Sequence, residues 1–476
     1  MSERLLSVGL DVGTTSTQLV VSELMIENKA GSFAVPEMEI ENRKILYQSP
    51  VYFTPLAAES RVDGEKIREI VAGEYARAGI RREQVDTGAI IITGETSRKE
   101  NARAVLSALS DYAGDFVVAT AGPELESVLA AKGSGAVAFS EKTGKTVLHM
   151  DIGGGTGNLA LIREGKIEKT GCPNVGGRLI KFEKNGKVTY VSPVLKGLCS
   201  LKVGDMAEEK QVAAVAEMLT QALEMAAGLR ERTELLEKLW TMEIATPVCA
   251  MVRNDTEICI SFSGGVAECI ARDVPWLEFG DMGPVLGRAI RESRLCRGQY
   301  RIGADAIRAT VIGAGCHSAQ LSGSTIFCQN VELPLKNLPV VFPEAGLPLG
   351  AAIARAARSR EEIPVIALPG LQAPGYAQVR EMAEEIAGAG VEPLILCLEA
   401  DMAKALGQAL AVRLGKDAKI LCIDRVRLRG EAYLDVGKAV GPALPVVVKT
   451  IVLAGRNAAL HSGDTDCHTS VRTGSQ

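Results

Sequence analysis

Two short segments of the sequence place an aspartate just before a cluster of glycine and hydroxyl residues. The first reads Asp11-Val12-Gly13-Thr14-Thr15. A carboxylate at a strand end can hold a hydrated Mg²⁺, a glycine turn can direct backbone N–H groups inward, and threonine hydroxyls add donors. This combination suits a polyphosphate, although a β-turn with solvated hydroxyls would explain the same residues.

The second segment is richer in glycine. Asp151 is followed after one residue by Gly153, Gly154, Gly155 and Thr156. Three consecutive residues without a Cβ let the main chain approach an anion closely, and each costs about 0.5–1 kcal/mol relative to alanine in regular structure. A purely structural turn seldom needs three glycines. The segment therefore predicts a phosphate-binding loop that is preceded by a second metal-binding carboxylate.

A third glycine pair lies further along the chain. The apolar stretch 257–262 predicts a buried strand that breaks at Gly264 and Gly265, just before a helical pattern. A flat base or a ribose could lie against backbone of this kind. Two glycines also occur at strand-to-helix turns that bind nothing, so this segment is weak evidence by itself.

The patterns around these segments are those of a duplicated α/β protein. Short apolar β runs flank both aspartate segments, and Asp151 lies 140 positions after Asp11 with the same plan around it. Such a repeat indicates an internal duplication at the scale of a domain. Helical patterns at 66–79, 102–109 and 212–226 complete the alternation of strand, turn and helix that α/β folds require.

We expect four segments along the chain. Residues 1–144 form a first domain, and residues 145–337 form a second domain with a helical insertion. Residues 338–455 alternate apolar runs with helical patterns and predict a further C-terminal α/β region. Residues 456–476 are polar and lack periodicity, which predicts a disordered tail.

Composition excludes several classes of protein. The 476 residues are 47% hydrophobic and 23% charged, and the net charge is −5 without a long basic run, which disfavours binding to nucleic acid. Apolar runs fall well short of the roughly 20 residues that span a bilayer, and no secretory signal is recognised. The 11 cysteines include no Cys-x-x-Cys pair and fit reduced thiols in a cytoplasmic protein.

The order of the three glycine segments resembles the actin-like ATPase superfamily, which includes actin, Hsp70-type chaperones and sugar kinases. The resemblance implies duplicated actin-like (ribonuclease H-like) α/β domains, with ATP and Mg²⁺ as cofactors. It assigns residues 11–15 and 151–156 to the two phosphate motifs and residues 263–266 to the adenosine motif. It also implies that Asp11 and Asp151 bind the metal and take part in catalysis.

The superfamily further implies two helices between the domains. Residues 123–133 resemble the first of them and place Glu124 where members carry a carboxylate or amide that orients the attacking water. Residues 309–315 resemble the second, with small residues that would let the two helices cross closely. Alternatively, both segments are ordinary amphipathic helices that pack in the fold and have no role in the site.

Segments 93–102, 302–315 and 444–450 give a narrower resemblance, to the ethanolamine ammonia-lyase reactivating factors. This family implies a slow, chaperone-like ATPase whose partner is ethanolamine ammonia-lyase. It releases damaged cobalamin from that enzyme so that adenosylcobalamin can bind again. The resemblance extends to about residue 455 and is compatible with enclosure in a bacterial microcompartment.

Two other functions within the superfamily stay open. A small-molecule kinase would transfer the γ-phosphoryl group to a sugar or an acid, but the sequence offers no convincing aspartate as its catalytic base. An actin-like filament or scaffold protein would assemble in an ATP-dependent way. All three functions depend on nucleotide, so nucleotide binding alone does not distinguish them.

Overall fold

The structure is a computed structural model of the chain. Thr14 and Thr15, the segment 93–102, residues 103–108 of the helix predicted over 102–109, and the C-terminal residues 456–476 lie outside the described residues. The structure describes residues 3–13, 16–28, 38–58, 61–92, 109, 118–120, 123–241, 258–303, 305–317, 319–322, 326–359, 362–426, 428, 433–437 and 444–449.

The first lobe is built on a twisted sheet with an antiparallel hairpin at its centre. Its strands are β1 (Glu3–Val12), β2 (Ser16–Asn28), β3 (Met38–Gln48), β4 (Tyr52–Phe53), β7 (Thr87–Ile92) and β8 (Val118–Thr120). The order is β3-β2-β1-β7-β8, with β4 paired to β2. A small hairpin of β5 (Leu56–Ala58) and β6 (Arg61–Val62) leads into helix α1 (Gly64–Ala78).

Alternation along β1 explains how this lobe is packed. Val8, Leu10 and Val12 lie on one face and pack in one core cluster with apolar residues of α1. Gly9 lies on the opposite face, as strand geometry requires. That face is covered by a different helix, described below.

The second lobe repeats this plan. Its strands are β9 (Thr146–Ile152), β10 (Gly157–Arg163), β11 (Lys166–Gly171), β14 (Ile258–Ser263) and β15 (Tyr300–Ile302), in the order β11-β10-β9-β14-β15. A short hairpin consists of β12 (Ile180–Phe182) and β13 (Val188–Val191). Since both sheets share one strand order, the expected duplicated actin-like α/β fold is confirmed.

Helices pack around and between the two sheets. They are α2 (Pro123–Gly133), α3 (Ala136–Thr143), α4 (Glu209–Ala226), α5 (Glu234–Leu239), α6 (Gly265–Ala271), α7 (Gly283–Glu292) and α8 (Ala309–His317). The apolar stripe of α4, as predicted from its periodicity, lies in the largest core cluster of the second lobe. Among the described residues, no helix is both long and apolar enough to cross a bilayer.

A third sheet follows towards the C-terminus. Its strands are β16 (Ala319–Leu321), β17 (Phe327–Gln329), β18 (Leu335–Val341), β19 (Val365–Leu368), β20 (Leu394–Leu398), β21 (Ile420–Ile423), β22 (Tyr433–Val436) and β23 (Pro445–Lys449). The order is β16-β23-β22-β18-β19-β20-β21-β17. Helices α9 (Leu349–Arg358), α10 (Tyr376–Ala387) and α11 (Ala403–Leu414) alternate with its parallel strands. The domain boundaries at residues 144 and 337 stay a prediction.

Helices α2 and α8 cross at very short range. A Cβ at Gly133 would lie well under 3 Å from the carbonyl oxygen of Ala309, and a Cβ at Gly313 would lie equally close to that of Leu129. Beyond the crossing, α8 covers the face of β1 that bears Gly9, where a Cβ would overlap the backbone of the helix. The helix that follows the second lobe therefore packs directly on the first.

The crossing gives a stability prediction. Because the atoms that a Cβ at Gly313 would meet are backbone atoms, Gly313→Ala should lower the free energy of unfolding by about 3 kcal/mol. The matched control is Gly73→Ala in α1, where a Cβ meets nothing within 4 Å and alanine should stabilise the protein by about 0.5–1 kcal/mol. Thermal unfolding followed by circular dichroism measures both. Equal midpoints for Gly313→Ala and the wild type would contradict the close crossing.

Candidate functional site

The two aspartate segments form hairpin turns of the same kind. In the first lobe, the N–H of Gly13 donates a hydrogen bond to the carbonyl of Ser16 at 2.8 Å. In the second, the N–H of Gly153 donates to the carbonyl of Thr156 at 3.0 Å. The internal repeat predicted from the sequence therefore extends to the hydrogen bonds of the turns.

Each aspartate lies opposite an amide side chain. Asp11 pairs with Gln18 across β1 and β2, and Asp151 pairs with Asn158 across β9 and β10. Residues directly opposite each other in an antiparallel ladder share one face of the sheet. All four side chains are buried. Each hairpin therefore carries a carboxylate and an amide side by side.

The start of α8 joins the two hairpins. Gln18 Nε2 in the first lobe donates to the carbonyl of Ile307 at 3.3 Å. Thr310 Oγ1 donates to Asp151 Oδ2 in the second lobe, also at 3.3 Å. Both aspartate hairpins therefore form a hydrogen bond with the short segment 307–310 at the start of α8. The segment that leads into α8 is thus the place where the two hairpins come together.

The third glycine segment lies against the second hairpin. Ser263 is the register partner of Asp151 in the parallel pair β14–β9, and its hydroxyl donates to Asp151 Oδ1 at 2.5 Å. Gly264 has a φ of +86°, and a Cβ there would overlap the carbonyl oxygen of Ile152. Glycine is therefore required at this position by the fold itself, and it brings the N-terminus of α6 next to the phosphate-loop candidate.

Electrostatics at Asp151 favour a cation. Burial raises the pKa of Asp151, and the hydrogen bonds from Ser263 and Thr310 offset only part of that effect. His149, two residues earlier, is fully buried, and burial lowers its pKa to about 3. The imidazole is therefore neutral and supplies no countercharge. A bound cation would stabilise the ionised form of Asp151.

Several glycines of the candidate site are not required by the protein's own packing. Gly153, Gly155 and Gly265 all lack a positive φ, and a Cβ at Gly155 or Gly265 would meet no atom of the described residues within 4 Å. At Gly153 the nearest atom would be 3.9 Å away. Because an alanine would fit the protein at each position, the space in front of these glycines is available to a ligand.

Glycines that face open space and glycines that the fold requires should respond differently to substitution by alanine. Gly155→Ala should leave the thermal midpoint unchanged and weaken the binding of Mg·ATP roughly tenfold, since a methyl group would intrude where a phosphate contacts the backbone. Gly264→Ala should instead lower the thermal midpoint because of its positive φ. Differential scanning fluorimetry and nucleotide titration measure the two properties. Unchanged nucleotide affinity in Gly155→Ala would argue against a phosphate at this loop.

Two carboxylates on α2 have different surroundings. Glu124 is exposed in the first turn and makes no hydrogen bond with any described residue. Glu126 is buried, and its Oε2 accepts a hydrogen bond from Asn158 Nδ2 at 3.0 Å. The role of Glu124 in orienting water stays a prediction, and Glu126 supports the amide that lies beside Asp151.

Both amides present an oxygen without a partner. Gln18 Oε1 and Asn158 Oδ1 are buried and accept no hydrogen bond from the described residues. An unsatisfied buried acceptor costs about 1–3 kcal/mol, so a donor supplied by bound water or a ligand fits here. Sequence reasoning missed both residues, although an amide seven positions after each aspartate was a usable signal.

A metal at this site would depend on water and phosphate as well as on protein. No group of three or more His, Cys, Asp or Glu side chains is gathered as metal ligands within the described part of the chain. Asp11 and Asp151 offer carboxylate oxygens as ligands. Such oxygens suit a hydrated magnesium ion that also contacts phosphate oxygens.

Comparison with known proteins gives one clear family match. The family model described as "Ethanolamine utilisation protein EutA" matches residues 3–454. The chain is 37% identical over 479 residues to the ethanolamine ammonia-lyase reactivase EutA of Salmonella typhimurium strain LT2, and 38% identical over 473 residues to that of Escherichia coli strain K12. Each alignment covers 94% of this chain and 99% of the relative.

Solved structures show more distant likeness. The PPX-GPPA enzyme of Aquifex aeolicus is 12% identical, with a TM-score of 0.41 over 65% of this chain and 99% of that one. The ethanolamine utilization protein EutJ of Carboxydothermus hydrogenoformans is 18% identical, with a TM-score of 0.33 over 65% of this chain and 89% of that one.

Proposed function

The chain belongs to the ethanolamine utilisation protein EutA family, and we propose that it acts as a reactivase of ethanolamine ammonia-lyase. The observation that carries this proposal is the 37–38% identity that extends over 99% of two relatives bearing that name. The names of these relatives do not favour the kinase or the filament function. The client is accordingly ethanolamine ammonia-lyase, and the reaction served is the replacement of damaged cobalamin by adenosylcobalamin.

ATP and Mg²⁺ are the proposed cofactors. Asp11 and Asp151 would hold the hydrated cation, and the buried oxygens of Gln18 and Asn158 would accept hydrogen bonds from its water. A bound magnesium ion would neutralise part of the negative charge of the triphosphate. The packing of the protein does not require a glycine at position 155, which supports the assignment of this loop to phosphate binding.

The chain's own groups would then divide the remaining tasks. The backbone N–H groups of the loops after Asp11 and Asp151 bind phosphate oxygens, and the turn at Gly264 and Gly265 faces the adenosine. Glu124 orients the attacking water. Both loops lie at lobe ends that meet at α8, so loss of the γ-phosphate removes contacts on both sides of the cleft.

Opening of the cleft is the proposed output. A nucleotide shifts the equilibrium between closed and open lobes only by its difference in affinity for the two states. Such a protein can hydrolyse ATP slowly, because its product is a change of shape that acts on the client. The close crossing of α2 and α8 would transmit this change between the lobes.

Reconstitution tests the proposed function. The purified chain is mixed with cyanocobalamin-blocked ethanolamine ammonia-lyase, Mg·ATP and adenosylcobalamin, and lyase activity is followed with time. Activity should return only when all components are present, and it should fail when Mg²⁺ is chelated or ATP is replaced by ADP. No recovery with the complete mixture would contradict the proposal.

A further inference from the structure

One side-chain contact spans the cleft beside the two glycine loops. The guanidinium carbon of Arg178, in the second lobe, lies 5.8 Å from the ring centroid of Phe53, in the first. The Phe53 side chain is otherwise exposed, with 81% of its surface accessible. The cation therefore lies over a largely exposed aromatic ring, within the range of about 6 Å for a cation–π contact, and each partner is attached to one of the glycine loops.

Phe53 is fixed to the first loop by its own strand. In β4 it pairs with Ser16, the first described residue after the loop, and the neighbouring Thr54 donates its hydroxyl to the carbonyl of Gly13 at 2.7 Å. Thr54 Oγ1 also lies 3.1 Å from the hydroxyl of Thr17. The backbone of Phe53 therefore moves with the first loop.

A buried carboxylate holds the same strand from the other side. Glu74 on α1 is fully buried and accepts hydrogen bonds from Tyr52 at 2.5 Å and from Tyr47 at 2.7 Å, and it forms an ion pair with Arg77. Hydrogen bonds from these groups lower the pKa of Glu74 even though burial opposes them, so the carboxylate is ionised. Tyr52 precedes Phe53, and this network fixes the strand on which the ring is carried.

Arg178 is fixed to the second loop in the same way. Its backbone N–H donates to the carbonyl of Gly154 at 2.7 Å, and its side-chain carbons lie 3.5–3.6 Å from where a Cβ of Gly154 would be. Its Nε donates to Asp281 Oδ2 at 3.1 Å, and Asp281 Oδ1 in turn accepts from the N–H of Gly283 at the start of α7 at 2.9 Å. The guanidinium is thus held over the loop by two anchors.

The terminal nitrogens of Arg178 are available for a ligand. Only Nε is engaged with a described side chain, and neither Nη1 nor Nη2 makes a hydrogen bond or ion pair with a described residue. The side chain is about a quarter exposed. A planar guanidinium presents paired donors that match phosphate oxygens in a bidentate geometry.

We propose that Arg178 binds the terminal phosphates of the nucleotide, and that Phe53 positions its guanidinium from the opposite lobe. The inference rests on the proposed nucleotide site. The cation–π contact would hold the guanidinium against the ring while both terminal nitrogens stay free for phosphate. Since the ring and the cation belong to different lobes, this geometry exists only while the cleft is closed. A triphosphate contact of this kind favours the closed state.

Nucleotides of different phosphate number test the proposal. Dissociation constants for ATP, ADP and AMP, each with Mg²⁺, are measured by calorimetric titration or competition. For Arg178→Gln, the affinity for ATP should fall about tenfold or more, as expected for a lost charge-assisted hydrogen bond, while the affinity for AMP stays within about twofold. Arg178→Lys, which keeps the charge beside Asp281, should give a smaller loss. Arg355→Gln, an exposed arginine paired with Glu344 near the third sheet, is the matched control.

Phe53 variants test the positioning role. Phe53→Tyr keeps the aromatic face and should bind ATP like the wild type, whereas Phe53→Leu should weaken ATP binding about threefold without affecting AMP. Thermal unfolding without nucleotide checks the folding of every variant. If Arg178→Gln does not fold, the ATP affinity of Arg178→Lys tests the role of Arg178 instead.

Four outcomes are possible, and they have distinct meanings. Wild-type affinity for ATP in both folded Arg178 variants would overturn the inference, and so would equal weakening of ATP and AMP. A wild-type chain that binds none of the nucleotides would overturn the proposed function as well. Selective loss of ATP and ADP affinity, with AMP and the Arg355→Gln control unaffected, is the result that we expect.

Discussion

Asp151→Asn should lower ATP-dependent reactivation of ethanolamine ammonia-lyase by about 100-fold or more, because the amide lacks the charge that holds the metal ion, and the metal ion neutralises the triphosphate. Recovered lyase activity and phosphate release measure the effect in parallel. The substitution should not harm the fold. Burial raises the pKa of Asp151, so an uncharged side chain removes a buried charge. The single amide oxygen of asparagine can still accept from Ser263, and its NH2 group can donate to the hydroxyl of Thr310.

The control for this prediction is Asp273→Asn. Asp273 is largely exposed and forms a surface ion pair with Arg291, so its loss should leave reactivation unchanged. A folded Asp151→Asn protein that reactivated the lyase at the wild-type rate would eliminate the metal-binding role of this residue. The same substitution at Asp11 should give a comparable loss, since the two hairpins share one turn geometry.

The second large effect is expected at α2. Glu124→Gln should reduce the rate of ATP hydrolysis by about 100-fold, the magnitude that positioned acid–base groups contribute, and leave ATP affinity unchanged. Its thermal midpoint should equal that of the wild type because Glu124 is exposed. Steady-state phosphate release and nucleotide titration separate the two effects.

Glu126→Gln is the matched comparison on the same helix. Its amide oxygen can still accept from Asn158, so hydrolysis should fall less than tenfold, with a change mainly in stability. The reverse pattern, with the larger catalytic loss at Glu126, would move the water-orienting role to the buried carboxylate.

Local patterns predicted much of the fold. Both aspartate hairpins and the strand predicted over 257–262 follow from spacing and residue type alone, whereas the helices that contain Gly133 and Gly313 were expected from the resemblance to the superfamily. The hairpins and the strand depend on neighbours within a few positions along the chain. The duplication could be recognised because the same local pattern occurs twice, and the shared strand order of the two sheets confirms the fold that this repeat implies.

The contacts between lobes could not be predicted in this way. Arg178 reaches Phe53 from 125 positions away, and Thr310 donates to Asp151 from 159 positions away. Pairings at such separations depend on how the lobes pack, which no single segment encodes. The burial of Glu126 against Asn158 is similar, since the helix periodicity does not show which carboxylate faces the second sheet.

Sequence reasoning also could not separate the two kinds of glycine. Gly264 is required by a positive φ and a close carbonyl, whereas Gly155 faces open space. Both residues occur next to other glycines, so the sequence around them does not show which of the two the fold requires. The distinction matters because only the second kind points to a ligand.

The central claim is that the two lobes enclose Mg·ATP between their glycine loops. Isothermal titration calorimetry of the purified chain with Mg·ATP tests it most directly. The account predicts saturable binding of one nucleotide per chain, strongly weakened by EDTA and by Asp11→Asn. No heat of binding at high nucleotide concentration, at two temperatures, would contradict it.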